Sequence, residues 1–225
     1  MSPTPSLRMD AFFPKKPRTK RALRRFELAP GRVFRTADLA VATKNPSRLA
    51  KQLVAEGVIE CLAAGLYGVP TASKFGRLTP RTVDIVAAFL KGTPYLMTGP
   101  EYWNATGLGS TAVFPVQIIY NQKRSGQITL GGRKFWFIRK AFPAEPTAEW
   151  YAIDLIEHRE MMGVDLETLR AGLRGAVQNG RLSAHVLRQT AAEWTTKRVA
   201  MFVAESLREY SPSDSIDGVP ADRSA

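Results

Sequence analysis

Asn45-Pro46 and Gly57 bracket one short stretch of the chain, NPSRLAKQLVAEG. Asn is a strong N-cap, since its side-chain oxygen accepts a free amide of the first turn. Pro at the next position has its φ already set for a helix and lacks only an N–H that would have no partner there. Gly at the far end takes the left-handed conformation that stops a helix. Between these signals Leu49, Ala50, Leu53 and Val54 share one face, while Arg48 and Lys51 fall on another with Ser47 beside them. Such a helix has to bury one side, and it carries its basic side outward.

The flanks extend the pattern. A helix is expected after Thr19, with Ala22, Leu23 and Phe26 on one face, ended by Pro30-Gly31. Val33-Phe34-Arg35 suits a short strand. Thr36 suits the N-cap of a second short helix that holds Asp38, Leu39 and Val41. After Gly57, residues 58–62 and 66–69 read as strands joined at Ala63-Ala64-Gly65, with Pro70 closing the unit. Helix, strand, helix, helix, strand, turn, strand is the order of a winged helix-turn-helix, in which the last hairpin is the wing.

Charge is concentrated in the same region. The 225-residue chain has a net charge of +12; residues 1–80 hold 15 Lys/Arg against 5 Asp/Glu, and the remainder 17 against 15. A basic first third adjoining a helix-turn-helix pattern points to a polyanion, nucleic acid before others. No apolar run approaches the roughly 18 residues needed to span a membrane, and no apolar segment of secretory type follows the basic N-terminus. A single cysteine, Cys61, excludes an internal disulfide and any multi-cysteine metal site. A cytoplasmic, reducing setting is expected, with Cys61 a small buried apolar residue among its neighbours.

The fold class read from these patterns is α+β: a winged helix-turn-helix domain followed by a mixed α/β C-terminal domain with a small sheet and terminal helices. The expected divisions are a basic flexible arm over 1–18, the winged helix over 19–72, the C-terminal domain over 73–210 and a disordered tail over 211–225. Within the third division, residues 75–80 read as a loop and 81–91 as a helix. Tyr95-Leu96-Met97 reads as a strand, Pro100–Asn104 as a short helix after Gly99, and 111–120 as a strand. Gln127–Leu130 and Arg133–Arg139 form a hairpin turning at Gly131-Gly132. From Pro143 to Tyr210 the pattern is helical, divided by Gly163, Gly180 and a Ser183 cap into three or four helices.

Catalytic patterns are thin. There is no phosphate loop of the G-x-x-x-x-G-K-[ST] form. Gly107-Leu108-Gly109-Ser110-Thr111 is similar to the glycine-serine signature of nucleotidyltransferases, but Asp84 and Glu101 are the only acids between 81 and 144 and do not form the carboxylate pair that magnesium needs. A nuclease would need clustered acids beside Lys134 or Lys140; its candidates Glu145, Glu149 and Asp154 fall after the sheet. His158, on a polar helix face, and His185 lack a third metal ligand. The aromatics Tyr102, Trp103, Phe114, Tyr120, Phe135, Trp136 and Phe137 have core spacing. No enzyme activity, cofactor or metal is expected.

If 45–56 is the second helix of a helix-turn-helix, its N-terminal half enters a major groove. Ser47 and Arg48 then reach base edges, and a bidentate Arg48–guanine contact discriminates by roughly 1–3 kcal/mol. Lys44, Asn45 and Lys51 flank the same surface, with the two lysines placed for phosphates. The basic run Lys15, Lys16, Arg18, Lys20, Arg21, Arg24 and Arg25 suits backbone or minor-groove contact. The wing tip Ala63-Ala64-Gly65 brings no charge. Arg124, Arg133 and Lys134 add a basic group further on.

Ser47, Arg48, Leu49 and Leu53, then Gly57 and Ile59, then Gly65, Tyr67, Val69 and Pro70 follow the form S-R-L-x-x-L, Gly-hydrophobic-Ile, G-x-Y-x-V-P. In this, and in residues 98–121 and 131–143, the chain resembles the AbiEi-type antitoxins of type IV, abortive-infection toxin–antitoxin systems, over about residues 19–200. The resemblance implies a repressor that binds inverted repeats of double-stranded operator DNA through the winged helix, cooperatively and so with homo-oligomerisation on DNA. It also implies a C-terminal domain that counteracts a nucleotidyltransferase toxin encoded beside it. By position it carries Lys44, Asn45, Ser47, Arg48 and Lys51 onto the recognition element. A regulator without a toxin, and a nuclease-like enzyme, are the alternatives.

Overall fold

The computed structural model describes residues 26–108 and 116–210. The fold is α+β. It divides into two compact units: one reaches Pro94 and takes in Gln127–Lys134, the other comprises Tyr95–Gly126 and the chain from Phe135.

In the first unit, β1 (Val33–Arg35), a 3₁₀ helix (Thr36–Val41), α1 (Pro46–Ala55), β2 (Glu60–Ala63) and β3 (Leu66–Gly68) follow in order. The strands form an antiparallel sheet of order β1-β3-β2, with Phe34 opposite Tyr67 and Cys61 opposite Tyr67 on its other side. Asn45 caps α1 as expected: its side chain accepts the Arg48 amide at 3.1 Å. Leu49, Ala50 and Leu53 are buried with Phe26, Phe34, Leu39, Val58, Ile59 and Val69 in one core, and Val54 packs at its edge.

Several local expectations are corrected. Thr36 does not cap the short helix but is its first residue; the N-cap is Arg35, whose amide donates to the Asp38 carboxylate at 2.7 Å. β2 starts at Glu60 and not at Val58, since the Val58 and Ile59 amides donate back to the Leu53 carbonyl. Cys61 is exposed: strand alternation turns Leu62 inward and Cys61 outward. Residues 75–80, read as a loop, include the second strand of a hairpin formed by β4 (Thr71–Ser73) and β5 (Gly76–Leu78). Next comes α2 (Thr82–Leu90), on which Val83 is 41% exposed.

The second unit begins with β6 (Tyr95–Thr98), α3 (Pro100–Ala105) and β7 (Val116–Asn121); β8 (Gly126–Leu130) and β9 (Arg133–Arg139) complete a sheet of order β6-β7-β9-β8, and the part of their hairpin over Gln127–Lys134 belongs to the first unit. Gly131 and Gly132 both have positive φ, as a tight hairpin turn requires. Gly131 also donates to the Leu62 carbonyl at 2.8 Å, and an added Cβ there would lie 3.0 Å from the Leu62 side chain. Five helices follow: α4 (Ala148–Glu157), α5 (Arg159–Met162), α6 (Leu166–Gln178), α7 (Ala184–Trp194) and α8 (Lys197–Ser206). That is more than expected, because the chain also breaks at His158 and at Thr195-Thr196. Their apolar faces close a core on Trp103, Ile118, Tyr120, Trp150 and Leu173. Among the described residues no helix is long and apolar enough to cross a membrane.

Leu53 is fully buried and Val41 is 61% exposed. In urea unfolding, Leu53→Ala lowers the stability of the chain by about 2–5 kcal/mol. Val41→Ala, although it removes a similar side chain, stays within about 0.5 kcal/mol.

Candidate nucleic-acid interface

The candidate surface is built by the way α1 is held. Its ends are fixed by the Asn45 cap and the turn at Gly57, and its Leu49, Ala50 and Leu53 side is committed to the core. The remaining side carries Ser47, Arg48, Lys51 and Ala55, all exposed, and Gln52, which donates to Glu56 at 2.8 Å, with Lys44 and Asn45 exposed just before the helix. The side-chain oxygen of Asn45 is occupied by the Arg48 amide, so its role here is to start the helix. Among the described residues Lys44, Arg48 and Lys51 form no ion pair; every carboxylate bridge involves other residues. Three unpaired cations and a hydroxyl along one turn and its approach present a surface that suits phosphates and base edges. Lys15, Lys16, Arg18, Lys20, Arg21, Arg24 and Arg25 lie outside the described residues.

The β2–β3 turn at Ala64-Gly65 has Gly65 at φ 72° and carries no charge, as its sequence indicates. The charged hairpin of this unit is the other one. At the tip of β4–β5, the Ser73 hydroxyl donates to the Gly76 carbonyl at 2.9 Å and accepts the Phe75 amide at 3.2 Å. Phe75 is 87% exposed with the Lys74 ammonium 4.9 Å from its ring centre. Arg77 is exposed, and its guanidinium lies against Gly57 at the end of α1, 3.3 Å from where a Cβ would stand. Sequence reading missed this hairpin because TAS and GRL lack the alternation of a half-buried strand. The Ser73-x-x-Gly76 turn was its signal.

The second unit gathers its polar chemistry at Asp154, which is 2% exposed. Its Oδ2 accepts from the Thr98 hydroxyl at 2.5 Å and the Trp103 indole N–H at 2.7 Å, and its Oδ1 from the Tyr120 hydroxyl at 2.6 Å. His158 Nδ1 lies 2.9 Å from the Asp154 carbonyl and 3.5 Å from Oδ1. His158 is not on a polar helix face: it sits at the junction of α4 and α5, stacked on Trp103 at 5.7 Å and close to Trp136 and Tyr120. Burial, with the neighbouring Asp154 charge, raises the Tyr120 phenol far above its usual value and keeps it a neutral donor. The partners lie 34 to 56 residues from Asp154 in sequence, so no local pattern announced them.

The acids considered for a nuclease are not brought together. Asp154 is enclosed, Glu149 accepts the Ser183 amide at 3.0 Å, and Glu145 is exposed. Among the described residues no group of three His, Cys, Asp or Glu is placed to hold a metal. Of Gly107–Thr111, only Gly107 and Leu108 are described, with Leu108 buried; Phe114 is likewise outside. Trp103, Tyr120, Phe135 and Phe137 are core residues, whereas Tyr102 stacks on Tyr151 at 5.2 Å. Arg133 donates to the Thr82 hydroxyl at 2.5 Å. No family model, curated protein or solved structure matches the chain.

The Tyr120 phenol gives a pH signature. Its folded pKa is raised, so above about pH 10 the unfolded chain releases a proton that the native state retains, and stability falls with rising pH. Tyr120→Phe removes up to about 1.4 kcal/mol per pH unit of that decline, and in neutral solution costs about 1–3 kcal/mol for the lost bond to a buried carboxylate. Chemical unfolding of both proteins from pH 7 to 11 measures the two effects.

Proposed function

We propose that this chain is a DNA-binding antitoxin of the AbiEi type. In this reading the first unit is a winged helix-turn-helix that binds inverted repeats in its own promoter and represses the operon. The second unit counteracts a partner nucleotidyltransferase toxin and has no catalytic role. The observation that carries the reading is the outward face of α1, where Ser47, Arg48 and Lys51 stand exposed and unbridged opposite a buried Leu49, Ala50 and Leu53 face. Ordinary solvated helices carry charges of both signs in paired spacing; this one presents cations alone on that face, in a region of 15 Lys/Arg against 5 Asp/Glu.

The element order after residue 33 supports the same reading: strand, short helix, turn, helix and a two-stranded hairpin. The β4–β5 hairpin supports it further by supplying Lys74 and Arg77, which the uncharged β2–β3 tip lacks. The family assignment rests on the S-R-L-x-x-L and G-x-Y-x-V-P residues, and toxin neutralisation rests on it alone. Winged helices also bind proteins; salt dependence separates the two cases, because only the polyelectrolyte releases condensed counterions.

A gel shift with the DNA upstream of the gene tests the proposal. Binding is expected to be sequence-specific and to weaken steeply with salt. Lys51→Ala is expected to weaken own and unrelated DNA alike and to reduce the slope of log K against log salt by about 0.9. Absence of specific binding in low salt contradicts the DNA reading. A neighbouring reading frame that encodes no nucleotidyltransferase contradicts the antitoxin part and leaves a regulator without a toxin.

A further inference from the structure

The second unit contains a cleft of about 400 Å³ that the DNA reading does not use. Ile138, Ile156, Leu166, Val199 and Phe202 give it an apolar wall, its most buried lining residues are Tyr120 and Ile156, and His158 is half-buried beside them. The volume falls in the range of small-molecule sites, which combine apolar walls with a few placed polar groups.

Charge pairing along the lining is uneven. Lys140 donates to Glu157, and Arg159 bridges Glu160 at 3.1 Å. Arg198, the third cation, is exposed at the second residue of α8 and has neither an ion-pair nor a hydrogen-bond partner among the described residues. Leu166, at the first residue of α6, is 38% exposed and lines the same cleft. One unpaired guanidinium and one exposed apolar wall at the same opening match a ligand with one negative end and an apolar body. A guanidinium binds a carboxylate through two parallel N–H···O bonds. A dianionic phosphate finds only one uncompensated cation here and gains nothing from the apolar wall.

We infer that this cleft binds a small organic monocarboxylate, its carboxylate on Arg198 and its apolar body against Phe202, Val199 and Leu166. The inference stands apart from the DNA reading, since it concerns only residues of the second unit.

The test is titration of the full chain with octanoate and phenylacetate, one aliphatic and one aromatic probe. Octanamide and inorganic phosphate are the controls. Calorimetry reads affinity, and the ring resonances of the two histidines read location, because His158 lines the cleft and His185 is exposed on α7. At least one carboxylate is expected to saturate at one equivalent and to shift His158 but not His185. Octanamide is expected to bind at least roughly tenfold more weakly than octanoate if octanoate is the ligand that binds. Arg198→Ala is expected to weaken the carboxylate roughly tenfold or more, with an unchanged circular dichroism spectrum since the side chain is exposed, and Leu166→Glu is expected to block it. Failure of both carboxylates, octanamide binding as tightly as octanoate, unchanged affinity in Arg198→Ala, or a His158 shift with phosphate alone would each overturn the assignment.

Discussion

The register of α1 is the constraint on which the first unit depends. The Asn45 cap fixes where the helix starts, and Leu49, Ala50 and Leu53 fix which way it faces. A rotation that took Arg48 and Lys51 off the surface would bury two unpaired cations, at a cost of several kcal/mol per ion, and would expose three apolar side chains. The same packing that stabilises the unit therefore determines its chemistry. What the helix presents is what the core cannot accept.

The second unit is organised differently, around a buried charge. Asp154 is held by a hydroxyl, an indole N–H and a phenol drawn from β6, α3 and β7, so that one carboxylate ties a helix to the sheet and to the short helix before it. Removal of any donor leaves a lone pair unsatisfied in a dry interior, where such groups are most costly. His158 extends the network toward the cleft in which Arg198 stands unpaired.

Legibility in the sequence followed the range of the interactions. Asn45-Pro46, Gly57 and Gly131-Gly132 act within a turn or two, and the elements they delimit stand where residue chemistry places them. The outward set Ser47, Arg48 and Lys51 was legible because helical spacing alone separates it from Leu49 and Leu53. Thr36 was misread because residue chemistry favours a hydroxyl at the cap, whereas the Arg35 amide donates to the Asp38 carboxylate and the helix starts one residue earlier. Cys61 was misread because apolar neighbours indicate burial only until strand alternation is known. Thr98, Trp103 and Tyr120 could not be assigned to Asp154 at all, since only the folded sheet and helices bring them together.

The central claim is that the exposed face of α1 reads DNA, and the ratio of affinities for the upstream DNA and for unrelated DNA of equal length tests it most directly, measured at one fixed salt concentration for the native chain and for Arg48→Ala. A base-reading Arg48 contributes roughly 1–3 kcal/mol of discrimination, so the ratio should fall about five- to 150-fold in the variant while affinity for unrelated DNA changes far less. A ratio of one in the native chain, or an unchanged ratio in Arg48→Ala, would contradict the account.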